Sequence, residues 1–211
     1  MKRKITYDLL MLLAVILLLV LLKVPYLNLL LAASLILIYS NKKSSIQNEL
    51  GFKIPAIFLK TVLTSIGLAI SIVFLSYFVF LPIIENLTNV PLELGVFEQL
   101  QGNLSLLLPS LAIGWIVGGF LEEVIFRAFM ITRFSNLFPN HAGIAASVIL
   151  PSILFGFLHT YQGPSGQFLT GVVGLMLAVI YIVNKRNIWL NILTHGFVNT
   201  VSMTLLYFDL L

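Results

Sequence analysis

GGFLEEVIFR, the sequence of residues 118–127, lies inside an apolar run that extends from about residue 105 to residue 131. It places the carboxylates of Glu122 and Glu123 and the guanidinium of Arg127 among side chains that suit a membrane interior. Ionisable groups in hydrocarbon cost several kcal/mol each, and they are retained mainly where a protein binds, transports or reacts with something. The stretch therefore predicts a membrane helix that carries a functional site.

The composition of the whole chain is that of a membrane protein. Hydrophobic residues make up 59% of the 211 residues and charged residues only 9%, which is far from the balance of a soluble domain. At roughly 20 to 25 residues per crossing, the chain has room for about seven helices. We predict an all-α polytopic membrane protein, with these transmembrane helices around an intramembrane polar cavity. We also predict that residues 1–211 form a single transmembrane domain, with N-terminal helices in residues 1–104 and motif-bearing helices in residues 105–208.

The side chains available for chemistry are few. The chain contains no cysteine, which excludes disulfides, thiolate nucleophiles and Cys-type zinc sites and leaves His and carboxylate groups as candidates. The net charge of +4 comes mostly from short Lys and Arg clusters between apolar runs, where such clusters orient helices. We therefore predict contact with the lipid bilayer and no nucleic-acid partner.

Polar breaks divide the chain into seven predicted spans. Pro25 and Asn28 break the first long apolar run, and Lys185 with Arg186 separates the last two spans. A Gly/Pro segment, residues 161–166, separates the fifth span from the sixth. The predicted spans are residues 5–22, 26–40, 55–82, 105–131, 143–159, 168–184 and 188–208.

The distribution of basic residues predicts the orientation. Cytoplasmic loops of membrane proteins are enriched in Lys and Arg. In a seven-span arrangement the basic positions fall on one side of the membrane, and a loop holding Glu85, Glu93 and Glu98 falls on the other. The basic positions are Lys2, Arg3, Lys4, Lys42, Lys43, Lys53, Arg133, Lys185 and Arg186. We predict a multi-pass plasma-membrane protein of bacterial type, with the N-terminus in the cytoplasm and the C-terminus outside.

The two adjacent glutamates of the fourth span have different expected partners. Glu123 and Arg127 are four residues apart, so they share a helix face and can form an ion pair. Glu122 points about 100° away and lacks that partner, which leaves its carboxylate available as a general acid or base. The structural alternative is that both glutamates and Arg127 form one ion-pair network that holds helices together.

Three more polar side chains lie on later apolar runs. His159 follows Phe155 by four residues, and His195 precedes Asn199 by four residues, so each pair shares a helix face. A single membrane histidine is more often a hydrogen-bonded packing residue than a catalyst. Polar groups on three helices instead favour a shared wet cavity, because buried polar groups need partners in hydrocarbon. His141, beside polar residues between two spans, is predicted to be solvated.

The predicted depths of these residues conflict. Glu122 and His195 fall in the cytoplasmic half of their spans, whereas His159 falls at the outer end of its own. A shared cavity then requires residues 161–166 to form a re-entrant loop buried in protein, where non-helical backbone is tolerated at membrane depth.

The motifs resemble those of one known family. Glu122-Glu123-x-x-x-Arg127, Phe155-x-x-x-His159 and His195-x-x-x-Asn199 occur in that order on successive apolar runs. This pattern is similar to the three motifs of the CPBP family of intramembrane proteases, which includes CAAX prenyl proteases and bacterial Abi proteins. The resemblance covers about residues 115–199, including Trp189 and the glycine-bearing segment 163–174, and no key position departs from it.

The resemblance implies a glutamate-dependent endopeptidase without a cofactor. In that family's pattern Glu122 with His159 activates a water molecule, and His195 with Asn199 stabilises the oxyanion of the tetrahedral intermediate. Glu123, Arg127 and Phe155 hold these groups in place. The substrate is a membrane-associated protein or peptide. Carboxylate bases and fixed hydrogen-bond donors are independently suited to this reaction.

Three alternatives stay open. A zinc-dependent metalloprotease would use His159, His195 and a glutamate as metal ligands. A non-catalytic or regulatory membrane protein, such as a bacteriocin self-immunity factor, would use the same polar residues for structure or recognition. A proton-coupled transporter would use buried glutamate and histidine as a relay, although the sequence contains no internal repeat of the kind many transporters have.

Overall fold

The computed structural model describes residues 2–137 and 140–211, and within these ranges the chain is helical without a strand. The side chains of residues 2–5 and 96 are outside this description. The α-helices are α1 (Lys2–Leu21), α2 (Leu27–Lys43), α3 (Ile46–Leu50), α4 (Phe58–Leu75), α5 (Leu81–Thr88), α6 (Leu104–Ile113), α7 (Thr132–Leu137), α8 (His141–Phe157), α9 (Gly163–Val183) and α10 (Ile188–Tyr207). Short 3₁₀ turns occupy Gly95–Leu100 and Thr160–Gln162.

Asparagine side chains cap the N-termini of three of these helices. The Asn103 side chain accepts a hydrogen bond from the backbone N–H of Leu106 at the start of α6. Asn140 caps α8 and Asn187 caps α10 in the same way. Capping satisfies backbone donors that have no partner inside the helix. These residues fix where the helices that carry the predicted site residues begin.

Each predicted span coincides with a helix, and three boundaries were wrong. The third span does not end at Pro82: a π-helical turn, Ser76–Phe80, joins α4 to α5, and Pro82 lies in the first turn of α5. A proline there loses no helical hydrogen bond, because the first amide groups have no partner inside the helix. The fourth span does not end at residue 131, because helical backbone continues through α7 to Leu137. The connection predicted between Arg133 and His141 is therefore helical up to Leu137, and its residues 138–139 lie outside the described residues.

The third wrong boundary concerns the predicted re-entrant loop, residues 161–166. Residues 160–162 form a 3₁₀ turn, and α9 begins at Gly163. Gly163 has a φ of +68°, which favours glycine, and Pro164 lies in the first turn of the helix, where it is tolerated. The Gly and Pro residues predicted a loop at residues 161–166. Most of this segment is instead the start of a helix.

The helices identify a membrane protein. Within the described residues, three are long and apolar enough to cross a membrane, Phe58–Thr88, Leu104–Leu137 and Thr160–Val183. Large apolar side chains cover the outer surface, as in Leu59, Phe78, Ile116 and Phe168, each more than 60% exposed. A soluble monomer rarely exposes so much apolar surface. The count of seven crossings stays a prediction, since length and composition support three.

The helix with the two glutamates is not a regular α-helix. Between α6 and α7, residues Gly114–Ile131 form a π-helical segment, which we call the π segment. Helical backbone runs without a break from Leu104 to Leu137. π-helical turns are rare and occur frequently at functional sites. The sequence prediction assumed 3.6 residues per turn over this stretch, and that assumption was wrong.

Glycines let the π segment and α10 cross closely. A Cβ atom added to Gly119 would lie 3.2 Å from the backbone oxygen of Ile192. A Cβ atom on Gly196 would lie 2.3 Å from the Trp115 ring, and the Trp115 indole nitrogen donates to the Thr200 hydroxyl at 3.0 Å. The crossing brings the polar residues of α10 against the glutamates.

Several of the basic side chains lie at one end of the bundle, whereas Lys23, in the turn between α1 and α2, lies at the opposite end. Arg133 Nη2 donates to Glu49 Oε2 at 2.7 Å, and Lys43 Nζ lies 2.8 Å from Asp8 Oδ1. Arg186 donates to the Ser135 hydroxyl at 3.1 Å. The side chains of Lys2, Arg3 and Lys4 lie outside the described part of the chain. The predicted orientation of the chain in the membrane stays a prediction.

The opposite end of the bundle holds the connection between α5 and α6, residues 89–103. Its backbone is bonded to the 3₁₀ turn before α9 and to α10: Glu93 N donates to Gln162 O at 3.2 Å, and Gly102 N donates to Tyr207 O at 3.0 Å. Ser165 donates to Val90 O at 2.5 Å. Connection 89–103, the start of α9 and the C-terminus therefore share one end.

Candidate active site

The structure brings Glu122, His159, His195 and Asn199 to one cavity, which we call the central cavity. Its volume is about 400 Å³. Glu122 comes from the π segment, His159 from the residues after α8, and His195 and Asn199 from α10. Three separate parts of the chain thus contribute polar groups to one space, whose other walls include apolar residues such as Val117 and Leu169.

Glu123 lies behind the central cavity and is fully buried. Its Oε1 atom is 2.9 Å from Arg127 Nη1 and 2.8 Å from His195 Nδ1. The predicted pairing of Glu123 with Arg127 is confirmed. The contact with His195 was not predicted, and it places the Glu123 carboxylate between a buried guanidinium and the imidazole.

Arg127 and Asn191 complete the surroundings of Glu123. Arg127 donates through Nη2 to the carbonyl of Gly174 in α9 at 3.2 Å. Asn191 donates through Nδ2 to Glu123 Oε2 at 3.2 Å and to the Leu177 carbonyl at 2.7 Å. Buried charges are tolerated when they are paired and hydrogen-bonded. These contacts of Glu123, Arg127 and Asn191 connect the π segment, α9 and α10 directly behind the cavity.

The orientation of His195 follows from its contact with Glu123. A carboxylate oxygen accepts, so the Nδ1–H of His195 is the donor. The other ring nitrogen, Nε2, lies 3.8 Å from Glu122 Oε2, which exceeds hydrogen-bond distance. One carboxylate therefore fixes the ring, and Nε2 is left for the central cavity.

Glu122 differs from its neighbour in both exposure and partners. Its side chain is 12% exposed, against 0% for Glu123. Within the described residues, the Glu122 carboxylate makes no hydrogen bond to protein, and its contact with His195 is the 3.8 Å approach. This carboxylate is therefore available to a ligand in the cavity.

His159 is oriented by the backbone of the helix before it. Its Nδ1 atom lies 2.6 Å from the carbonyl oxygen of Phe155, which accepts, so Nδ1–H is the donor. The ring contacts that of Phe155 at a centroid distance of 4.7 Å. Phe155 also stacks edge-on with Phe126 of the π segment, at 5.0 Å. His159 thus keeps Nε2 free on a ring that packing holds in place.

Asn199 lies against the first turns of the π segment. Its Nδ2 atom donates to the Gly114 carbonyl at 2.9 Å, which uses one of the two amide hydrogens. A Cβ atom on Gly118 would lie 2.4 Å from Asn199 Nδ2 and 3.4 Å from His195 Nε2. Because Gly118 has no side chain, Asn199 and His195 have room to reach the cavity.

The residues that would bind zinc in the alternative mechanism do not form a compact ligand group. Within residues 2–137 and 140–211, no three His, Asp or Glu side chains are close enough to hold a metal ion. His159 and His195 each use Nδ1 for a protein oxygen. A ligand in the cavity would therefore meet only the Nε2 atoms of these rings.

Sequence reasoning missed two residues of this site. Asn191 lies four residues before His195, so the spacing that linked His195 to Asn199 could have included it. Gly118 had no comparable signal, because its role depends on how closely α10 approaches. His141, which was predicted to be solvated, is exposed.

Comparison with known proteins agrees with the motifs. Residues 104–201 match the sequence profile of the family described as Rce1-like, type II CAAX prenyl endopeptidases. No curated protein and no solved structure was found to match the chain. The matched region contains all the residues of the central cavity discussed above together with Glu123, Arg127 and Asn191. In residues 104–201 the chain is therefore similar to the type II CAAX prenyl endopeptidases.

Proposed function

We propose that this protein is an intramembrane glutamate-dependent endopeptidase that cleaves a peptide bond in a membrane-associated substrate. The observation that carries the proposal is the meeting of Glu122, His159, His195 and Asn199 at one cavity beside the buried Glu123–Arg127 pair. The family of Rce1-like endopeptidases supports peptide hydrolysis as the reaction class. No nucleic acid takes part.

In the proposed reaction, Glu122 is the general base. Its carboxylate takes a proton from water while the water oxygen forms a bond to the carbonyl carbon of the scissile peptide. His159, with Nδ1–H donated to Phe155 O, offers Nε2 as an acceptor that orients the same water. When the C–N bond breaks, the proton held by Glu122 passes to the leaving amine.

Asn199 and His195 are the proposed oxyanion donors. The second amide hydrogen of Asn199 is available because the first is donated to Gly114 O. His195 donates from Nε2 when that nitrogen carries a proton, and Glu123 at Nδ1 holds the ring in place. Fixed donors aimed at developing negative charge are usually the largest single contribution to such catalysis.

Glu123, Arg127, Phe155 and Asn191 are proposed to act through other residues. Glu123 holds His195, Asn191 holds Glu123, and Phe155 holds His159. The reaction as proposed needs no resident metal ion. We further propose a plasma-membrane location with the basic end of the bundle in the cytoplasm and the C-terminus outside.

The test is cleavage of a membrane-anchored peptide library by the purified protein, with products identified by mass spectrometry. We expect Glu122→Gln to lower turnover by about 100- to 10,000-fold, because general acid–base catalysis contributes that much. Glu98→Gln is the matched control, since Glu98 is exposed and does not line the central cavity. Equal cleavage by the wild type and Glu122→Gln would contradict the proposal. A folded wild type that cleaves no peptide would favour the regulatory alternative.

A further inference from the structure

The central cavity opens at the end of the bundle that holds connection 89–103. Six residues line the cavity and are also exposed: the polar residues Tyr26, Glu93, Gln99 and Tyr161, and the apolar residues Leu106 and Ile113 of α6. Side chains that are exposed and line a cavity mark its mouth. A peptide that enters from this end passes these residues before it reaches Glu122.

Glu93 has a defined position at this mouth. Its backbone N–H donates to the Gln162 carbonyl at 3.2 Å. Its side chain lies against Gly163: a Cβ atom there would be 2.7 Å from Glu93 Oε1 and 2.9 Å from Cδ. Connection 89–103 therefore holds this carboxylate beside the start of α9 rather than leaving it on a free loop.

Three glutamates near this end have different roles. Glu85 Oε1 accepts a hydrogen bond from the backbone N–H of Leu92 at 2.8 Å, which is a structural contact. Glu98 is exposed and does not line the cavity. Within the described residues, the Glu93 carboxylate forms no hydrogen bond or ion pair, although it lines the cavity. Glu93 is thus the carboxylate left free for a substrate.

The central cavity offers no cation of its own that could pair with Glu93. Among the described residues that line it, none is Lys or Arg, and the acidic ones are Glu93 and Glu122. Lys23, in the turn that also holds Tyr26, is exposed and does not line the cavity. A cavity lined by one sign of charge attracts the opposite sign and disfavours its own.

We propose that Glu93 is a specificity-determining residue, which accepts a Lys or Arg side chain of the substrate peptide close to the scissile bond. By the same electrostatics, an acidic side chain or a free C-terminal carboxylate at that position is rejected. The substrate class is then a membrane-associated peptide with a basic residue beside the cleaved bond. This inference rests on the proposed function of the central cavity.

The expected preference is modest because Glu93 is exposed. Exposed ion pairs contribute little, and we expect a Lys-bearing peptide to be cleaved about twofold to fivefold faster than its Gln counterpart. High salt should reduce this ratio, because exposed charges are screened. The Glu-bearing counterpart should be the slowest of the three.

The experiment uses one membrane-anchored peptide in which a single Lys, Gln or Glu is moved over four positions on each side of the cleaved bond. The wild type should show a Lys preference at one or two adjacent positions. Glu93→Gln should abolish the preference, and Glu93→Lys should invert it in favour of Glu. Glu98→Lys, with the same charge change outside the cavity, should keep the preference for Lys. Equal charge preference in the wild type and Glu93→Gln overturns the proposal.

A binding measurement separates this proposal from the proposed function. Fluorescently labelled Lys, Gln and Glu peptides are titrated into the Glu122→Gln and the Glu122→Gln/Glu93→Gln variants in an uncharged detergent. Tighter binding of the Lys peptide that depends on Glu93 supports the subsite even if the wild type hydrolyses nothing. Binding that does not depend on Glu93 overturns the subsite, and hydrolysis that depends on Glu122 would still support the endopeptidase.

Discussion

Glu123 Oε1 lies 2.8 Å from His195 Nδ1, although the two residues are 72 positions apart in the chain. The same oxygen is 2.9 Å from Arg127 Nη1. The carboxylate next to the proposed base thus connects a buried cation to a histidine of the central cavity. The two adjacent glutamates therefore have different positions: Glu122 faces the central cavity, and Glu123 contacts the residues behind it.

Exchanging each glutamate for glutamine should separate these roles. Glu122→Gln keeps the shape and removes the proposed base, so we expect lost hydrolysis with a melting temperature close to that of the wild type. Glu123→Gln leaves Arg127 buried without its charged partner, which costs on the order of 3 to 5 kcal/mol. That variant should melt at a clearly lower temperature in detergent. Activity loss with unchanged stability in both variants would be evidence against these different roles of Glu122 and Glu123.

Much of this arrangement could be predicted from local sequence. The order of the helices followed from apolar runs and polar breaks, and the Glu123–Arg127 contact followed from a spacing of four residues. The Glu123–His195 contact could not be predicted, because it depends on how α10 crosses the π segment. No simple pattern of hydrophobic residues predicts the π segment. The start of α9 at Gly163 was not predicted, because Gly and Pro residues more often indicate a loop.

Gly118→Ala tests whether the close approach of Asn199 is needed. The added Cβ would lie 2.4 Å from Asn199 Nδ2, so the amide has to move away from its position at the cavity. We expect turnover to fall by at least tenfold in the peptide assay, because small displacements of catalytic groups are costly. Gly67→Ala in α4 is the control, since nothing lies within 4 Å of its added Cβ. Similar activity in both variants would show that the packing at Gly118 is unimportant for turnover.

Single-cysteine variants can test the proposed orientation, because the chain contains no cysteine. Ser44→Cys lies at the basic end of the bundle and Gln101→Cys at the opposite end, and both positions are exposed. In intact cells a membrane-impermeant maleimide should label Gln101→Cys, whereas Ser44→Cys should require permeabilisation. The reverse pattern would invert the orientation, and labelling of both from outside would require a different number of crossings.

The zinc alternative makes opposite predictions about metal content. For the glutamate mechanism we expect dialysed, active protein to contain no stoichiometric zinc, and tight chelators to leave the rate unchanged. His159→Ala and His195→Ala should then lower the rate without any change in metal content. One zinc per chain, lost together with activity in both variants, would establish a metalloprotease.

Asn199 provides the sharpest test of the oxyanion proposal, because an asparagine amide is a good hydrogen-bond donor. Losing one such donor typically costs about 100- to 1,000-fold in turnover, so Asn199→Ala should lower kcat by that factor while KM changes little. Asn199→Asp keeps the shape but cannot donate when ionised, and it should be at least as inactive. Asn48→Ala, at an exposed position of α3, controls for general effects of the exchange. If Asn199→Asp retained wild-type turnover, the amide could not be the donor, and the oxyanion would have to be stabilised by His195 alone.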